Sequence, residues 1–164
     1  MTKTVITDYV PGALGAVCSL HGRYYACEWG FDHAFETKVA RDMADFFARF
    51  NPELDLFKVV VVGEQVVGSI TIDGTENDDG NAHLRWFIVA DVARGTGIGA
   101  KLLRTAVDFT RAKRFRTAYL WTFEGLHAAR YLYEKAEFQL VHGERDETWG
   151  KVVTEQRFDL NLTA

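Results

Sequence analysis

Apolar residues recur along the chain with two different periods, which predict a mixture of helices and strands. In residues 36–50 they stand three or four positions apart, which is typical of one face of a helix, and Pro52 would end that helix. A similar but looser spacing covers Ala13–Trp29. Two nearly unbroken apolar runs rich in β-branched residues, Leu56–Val62 and 66–72, predict strands joined by a tight turn.

The second half of the chain continues this alternation. In a predicted strand at 83–89, period-two alternation would put Leu84 and Trp86 on one face and Arg85 and Phe87 on the other. The remaining predicted elements are a first strand at 5–10, a helix from the glycine-rich segment 93–99 to about residue 113, a strand at Thr117–Phe123, a helix at 126–135, and strands at 138–141 and 152–160. The order β-α-α-β-β-β-α-β-α-β-β predicts one mixed α/β sheet layered with helices, in a single domain over residues 1–164.

Composition narrows the class of protein. The 164 residues are 48% hydrophobic and 26% charged, as in ordinary globular domains. The net charge of −4 argues against a nucleic-acid partner, because nucleic-acid binders usually carry a basic patch. No apolar run approaches the roughly 20 residues that a membrane-spanning helix needs. The first residues lack the apolar stretch of a secretory signal, so we expect a cytoplasmic protein with no membrane partner.

The glycine-rich segment is the most informative part of the sequence. Arg94-Gly95-Thr96-Gly97-Ile98-Gly99-Ala100 lies between a strand and an amphipathic helix. Alternate glycines let the backbone approach a ligand, and the unpaired N–H groups at the start of the helix favour a phosphate. The spacing fits neither a Walker A loop nor the dinucleotide fingerprint Gly-x-Gly-x-x-Gly. A glycine-rich surface turn that binds nothing is the alternative.

The loop stands in a wider pattern that resembles a known family. Arg-x-x-Gly-x-Gly after a strand that ends Phe-Ile-Val, and later Ala-Ala-Arg-Tyr-Leu-Tyr-Glu-Lys-Ala-Glu-Phe, is similar to the GCN5-related N-acetyltransferase (GNAT) superfamily. The element order matches that fold along nearly the whole chain. The segments 21–25, 84–87, 120–126 and 154–158 also resemble the acetyltransferase half of bacterial fusions with MarR-type regulators.

This resemblance implies a fold and a cosubstrate. The fold would be a GNAT-type α/β (α+β) fold, with a mixed, largely antiparallel sheet of about seven strands and four flanking helices. A bulge in strand 83–89 would splay it from Thr117–Phe123 and open a cleft for acetyl-CoA. A homodimer would be in keeping with this superfamily. The pantetheine arm would pair with Phe87, Ile88 and Val89, and the pyrophosphate would lie on the main chain of Arg94, Gly95, Thr96, Gly97, Ile98, Gly99 and Ala100.

The resemblance also implies an acid for the reaction. Tyr133 stands where this superfamily commonly places the group that contacts the cofactor and protonates the departing thiolate. A phenol is protonated at neutral pH and can donate to a thiolate. Without the resemblance, a tyrosine on the apolar stripe of a helix is more simply part of the core. A main-chain N–H of Val89 or a neighbour would bind the oxyanion.

The base and the acceptor-binding residues are less restricted by the sequence. Glu28, Glu124 and Glu155 would border the acceptor cleft, and each could bind an ammonium or take its proton. Glu124 is the preferred base because it closes the strand that faces the cofactor. Five aromatic residues could wall the acceptor pocket and contact a cation through their rings, although packing in the core or sheet is the simpler role for most of them: Trp86, Trp121, Trp149, Tyr24 and Tyr25. The histidines lack metal-ligand spacing, so no metal is expected.

The predicted function is acetyl transfer from the CoA thioester to a primary amine by direct attack in a ternary complex. The acceptor could be a small-molecule amine, a lysine side chain or an N-terminal amine. A non-catalytic acyl-CoA-binding module that senses or regulates is the alternative. Two residues depart from the superfamily pattern: Leu126 stands where many members have Asn, and Glu137 where they usually have Gly before Phe.

Overall fold

The computed structural model describes residues 2–76, 78–149 and 151–163, and shows the predicted order of elements. Within these ranges there are four α-helices, α1 Ala13–Trp29, α2 His33–Ala48, α3 Ile98–Ala112 and α4 His127–Lys135, and a short 3₁₀ helix at Asp91–Ala93. The strands are β1 Thr4–Thr7, β2 Leu56–Val62, β3 Gln65–Asp73, β4 Asn81–Val89, β5 Thr117–Phe123, β6 Gln139–Asp146 and β7 Val153–Asn161.

The element boundaries differ from the prediction where capping or exposure overrides the apolar pattern. α2 begins at His33, three residues before the prediction, because the Asp32 carboxylate accepts a hydrogen bond from the N–H of Ala34 at 2.9 Å. β6 runs on to Asp146, although its prediction ended at 141. Its side chains are nearly all exposed, so its second half has no apolar signature.

The sheet has the order β1-β2-β3-β4-β5-β7-β6, and all of its pairs are antiparallel except β4 with β5. β4 pairs with β5 only at its beginning, where Asn81–His83 lie beside Thr117–Tyr119. Beyond that point the two strands diverge. The predicted mixed, largely antiparallel seven-stranded sheet with a splayed centre is therefore confirmed.

Helices cover both faces of the sheet, and each face has its own apolar core. α3 and α4 pack on one face through residues such as Leu102, Leu103 and Tyr133. α1 and α2 pack on the other face through residues such as Val17, Met43 and Phe46. The diverging halves of β4 and β5 therefore separate two helical layers, and a cleft at that point can be reached by side chains from both.

A β-bulge in β4 corrects the predicted alternation of its side chains. Thr71 of β3 lies opposite Arg85 and Ser69 opposite Ile88, so β4 contains one extra residue between these pairs. Trp86 has a φ of 48°, and the Ser69 hydroxyl donates to its carbonyl at 2.6 Å. Trp86 consequently packs in the α1–α2 core while Leu84 packs in the α3–α4 core. The prediction that both lie on one face was wrong.

Candidate active site

A cavity of about 760 Å³ occupies the gap between the diverging ends of β4 and β5. This volume is in the range of small-molecule sites, roughly 300–1,000 Å³. Main-chain and side-chain groups of β4 and of the loop after it line one end. Residues of α1, α2 and β7 line the other end. The bulge creates the gap, because a strand that bends away from its neighbour leaves main-chain groups without strand partners.

The glycine-rich loop presents a row of free main-chain donors to this cavity. Gly95 and Gly97 have φ values of 74° and 81°, in the left-handed region that favours glycine. Gly97 caps α3 without a side-chain hydrogen bond. Among the described residues, no acceptor is found for the main-chain N–H groups from Gly95 to Ala100, whereas that of Lys101 donates to Gly97. The loop therefore offers an anion site at the positive end of α3.

The third glycine serves a different purpose. Gly99 lies in the first turn of α3, and a Cβ atom there would stand 3.3 Å from the Leu132 side chain of α4. Glycine thus lets the start of α3 approach α4 closely, which keeps the donors beside the cavity. All the predicted loop residues line the cavity except Thr96, whose hydroxyl instead donates to the carbonyl of Ala93 at 2.6 Å.

The end of β4 supplies further main-chain groups. The N–H of Ala90 donates to the carbonyl of Val67 at 2.8 Å, so Ala90 and Val67 are paired by a hydrogen bond across β4 and β3. In an antiparallel pair the main-chain groups of successive residues point alternately towards and away from the partner strand. The N–H and C=O of Val89 therefore point away from β3 and towards the gap. There the Val89 carbonyl accepts from Arg94 Nε at 3.0 Å. The Arg94 guanidinium also pairs with Asp91 at 2.9 Å and lies 5.3 Å from the centre of the Tyr24 ring. Phe87, Ile88 and Val89 all line the cavity, as predicted.

Tyr133 is buried on α4 and lines the cavity. Its side chain is 5% exposed, and no hydrogen-bond partner of its hydroxyl is found in the described parts of the chain. Burial raises the pKa of Tyr133, and the neighbouring Tyr25 phenol raises this pKa further. The phenol therefore stays protonated at neutral pH and can only donate its proton to a group that develops charge nearby.

The three candidate carboxylates have different positions. Glu28 and Glu124 are exposed and are not among the residues that line the cavity. Glu124 lies outside it because it begins the turn after β5, in which Gly125 has a φ of 109°. Glu155 of β7 lines the cavity and accepts a hydrogen bond from Trp149 Nε1 at 3.2 Å. Burial raises the pKa of Glu155. The hydrogen bond from Trp149 lowers this pKa, and the negative charge of Asp146 raises it.

The two predicted tryptophans both reach the cavity. Trp86 is buried beneath it and stacks under the Arg85 guanidinium at 4.5 Å, whereas Trp121 is 40% exposed at its edge. Trp86 thus contributes mainly to the α1–α2 core. Trp121 lies 6.0 Å from His142 of the edge strand β6 and faces the solvent side of the cavity.

The structure adds residues that were not predicted as site residues. His21 of α1 is 6% exposed, lines the cavity and contacts the carbonyl of Val17 through Nδ1 at 2.8 Å. A carbonyl only accepts, so Nδ1 carries the proton, and burial lowers the pKa of His21 to about 4. Nε2 is therefore an unprotonated acceptor. Phe35 also lines the cavity and was not predicted, whereas Tyr25 and Trp149 line it and were among the aromatic residues proposed for the acceptor pocket.

In residues 2–76, 78–149 and 151–163, no three His, Cys, Asp or Glu side chains are grouped so that they could hold a metal ion. Over the same ranges, none of the helices combines the length and apolar character of a membrane span.

Comparison with known proteins agrees with this geometry. Two curated relatives are N-acetylaspartate synthetase of Danio rerio, 32% identical over 77% of this chain, and camello of Xenopus tropicalis, 28% identical over 80%. The chain spans 45% and 61% of their lengths.

Solved structures with the same fold include an N-acetyltransferase of Staphylococcus aureus Mu50, with a TM-score of 0.79, 16% identity and coverage of 98% and 99% of the two chains. The yncA protein of Salmonella typhimurium, solved with its cofactor acetyl-CoA, has a TM-score of 0.73, 15% identity and coverage of 97% and 94%.

The family model provides the remaining comparison. It matches residues 16–138, which include most of α1, the bulged strand β4, the glycine-rich loop and Tyr133. On this match the chain belongs to the acetyltransferase (GNAT) family.

Proposed function

We propose that this protein transfers the acetyl group of acetyl-CoA to a primary amine, with both substrates bound in the cavity between β4 and β5. The observation that carries the proposal is the row of N–H groups from Gly95 to Ala100, which have no acceptor among the described residues and end beside the splayed strand. A diphosphate on these donors would direct the attached chain along Phe87, Ile88 and Val89 towards Tyr133. The cosubstrate of the Salmonella typhimurium neighbour supports the same choice of ligand.

The residues of the cavity fit direct transfer. Acetyl-CoA supplies a thioester, whose carbonyl carbon is attacked by the nitrogen of a neutral amine. As the N–C bond forms, the C–S bond breaks, and the electron pair goes to sulfur. The Tyr133 hydroxyl, which has no hydrogen-bond partner in the part of the chain that the structure describes, donates its proton to that sulfur. The burial that raises the pKa of Tyr133 would also raise the pKa of a thiol held beside it, which keeps the transfer feasible.

The proton from the attacking amine needs an acceptor on the opposite side. Glu155 is the carboxylate that lines the cavity, and its raised pKa makes it a better base than an exposed carboxylate. We therefore assign to Glu155 the role that the sequence suggested for Glu124. The N–H of Val89, which faces the gap, is the proposed donor to the oxyanion.

A coupled assay tests this function. Free thiol released from acetyl-CoA is measured with purified protein and a panel of primary amines, alongside direct binding of acetyl-CoA. Saturable binding together with amine-dependent thiol release is expected. Binding without release by any amine would favour the non-catalytic sensing module. The absence of binding would contradict the proposal as a whole.

Other aspects of the prediction stay predictions. These are the resemblance to the acetyltransferase half of MarR-type fusions, the bacterial source, the cytoplasmic location and the homodimer. The acceptor classes foreseen from the sequence, which were small amines, lysine side chains and N-terminal amines, all contain the amine that the reaction requires. The structure narrows that choice only through the side chains that surround Glu155.

A further inference from the structure

The acceptor end of the cavity has a wall of aromatic rings around one carboxylate. We call Tyr25, Phe35, Phe123, Trp149 and Glu155 the acceptor wall; all five line the cavity. The ring centres of Tyr25 lie 4.6 Å from Phe35 and 5.7 Å from Phe123, and Phe35 lies 5.4 Å from Trp149. Trp149 in turn donates to Glu155. The wall is thus a continuous apolar surface that ends at Glu155, which lies beside the carboxylates of Asp146 and Glu144.

Glu155 lacks a cationic partner in the structure. In the described ranges it forms no ion pair with a lysine or arginine, and its cross-strand neighbour on β6 is another acid, Glu144. Like charges on adjacent strands repel each other, so the carboxylate is stabilised when a cation binds to it. An ammonium group on the ligand would supply that cation.

Buried polar groups beside the acceptor wall point to a ligand independently of these charges. The hydroxyl of Tyr133 and Nε2 of His21 belong to side chains only 5% and 6% exposed, and neither atom has a partner among the described residues. Both line the same cavity. Among the described residues only Thr71 Oγ1 is fully buried without a partner, so the Tyr133 hydroxyl and His21 Nε2 are open to the cavity and can bind a ligand or water there.

The cations that line this end of the cavity are already paired, whereas Lys151, which does not line it, donates to the carbonyl of Trp29. Lys38 Nζ lies 2.7 Å from Asp42, and Arg85 lies 3.2 Å from Asp42 and 3.4 Å from Asp73. A second negative group on the acceptor, such as an α-carboxylate, would have to displace one of these pairs. The acceptor wall therefore favours a ligand with one ammonium and no carboxylate.

Resting on the proposed function, we propose that the acceptor is a primary amine with an uncharged aromatic or bulky apolar substituent, an arylalkylamine. Its ammonium binds at Glu155 and its ring packs against Tyr25, Phe35, Phe123 and Trp149. The ammonium loses one proton to solvent before attack, and the neutral nitrogen then forms the N–C bond and passes its second proton to Glu155. This class differs from the aspartate in the name of the Danio rerio relative.

Steady-state kinetics with a matched set of amines tests this assignment. The probes are 2-phenylethylamine, ethylamine, phenylalanine and spermidine, each at saturating acetyl-CoA. Burial of a phenyl ring contributes on the order of 1.5–3 kcal/mol, so kcat/KM for 2-phenylethylamine should exceed that for ethylamine by about tenfold or more. Phenylalanine should be at least about tenfold poorer than 2-phenylethylamine, because its carboxylate faces Glu155 without a free cation.

Substitution of the carboxylate provides a second readout. Glu155→Gln should lower kcat/KM for 2-phenylethylamine by about tenfold or more and leave acetyl-CoA affinity unchanged, while Glu64→Gln in the exposed β2–β3 turn should change neither. The wild-type rate should also fall as the pH drops through the raised pKa of Glu155, since only its ionised form binds an ammonium. The Gln variant should lose this part of the pH profile.

The outcomes separate this inference from the proposed function. Amine-dependent turnover with equal or better rates for ethylamine, spermidine or phenylalanine would overturn the acceptor assignment and leave the acetyltransferase proposal intact. An unchanged kcat/KM in Glu155→Gln would also overturn it. Acetyl-CoA binding without turnover of any amine would overturn both.

Discussion

The two ends of the cavity are built in different ways. The end that faces α3 is made of main-chain groups: the N–H row from Gly95 to Ala100 and the edge of β4 at Val89. The acceptor wall is made of side chains that α1, α2, β5 and β7 bring together across 130 residues of sequence. A site built from the main chain can be the same in every member of a family, whereas a site built from side chains can change with each member's acceptor.

The strongest test of this comparison concerns Tyr133, which lies between the two ends. Tyr133→Phe should lower kcat by about 100-fold, in the range usual for the loss of a positioned acid, with acetyl-CoA affinity unchanged. The hydroxyl has no partner in the described structure, so the melting temperature should not fall. Stopped assays of thiol release and calorimetry measure the two quantities. Tyr9→Phe, an exposed tyrosine outside the cavity, is the control. A kcat within a few-fold of wild type would remove Tyr133 from the reaction.

A substitution in the loop separates the main-chain end from the rest. Gly97→Val forces a β-branched residue into a φ of 81°, a conformation that costs an L-residue about 1–2 kcal/mol or more, so the loop should change shape. Acetyl-CoA affinity should fall by about tenfold or more. Gly12→Val places the same strain, at a φ of 88°, at the start of α1. That control should lower stability without a change in affinity; equal loss of affinity in both variants would argue against a specific role of the loop.

The smallest expected effect concerns stability alone. Glu137 is exposed and has a φ of 73° just after α4, where Gly would be unstrained. Glu137→Gly should raise the free energy of unfolding by about 1 kcal/mol, measured by urea denaturation. Arg104→Gly, at an exposed position inside α3, should lower it by about 1 kcal/mol. If both variants lose stability equally, the left-handed position carries no strain.

The sequence predicted the main-chain end well because its signals are local. Strand, glycine spacing and helix follow one another in about 30 residues, and the apolar periods identified the elements on either side. The bulge was invisible in the residues themselves, since Trp86 is an ordinary strand residue with no glycine to mark a left-handed φ. For that reason the predicted alternation of side chains was wrong at Trp86, although the strand itself was predicted correctly.

The acceptor wall could not be predicted in the same way. Choosing Glu155 over Glu124 depends on where β5 ends: Phe123 still faces the α1–α2 layer, and Glu124 already belongs to the turn. Phe35 and Trp149 meet only because α2 and the segment before β7 pack together. No periodicity contains this information. His21 appeared in the sequence as one more residue of α1, and only its burial and its bond to Val17 show that it presents Nε2 to the cavity.

Calorimetric titration of the folded wild-type protein with acetyl-CoA tests the central claim most directly. The account predicts saturable binding at one site per chain, weakened in Gly97→Val and retained in Tyr133→Phe. If the titration gave no saturable heat at any temperature tried, the free main-chain donors at the start of α3 would not hold a diphosphate, and the proposed reaction would have no donor substrate.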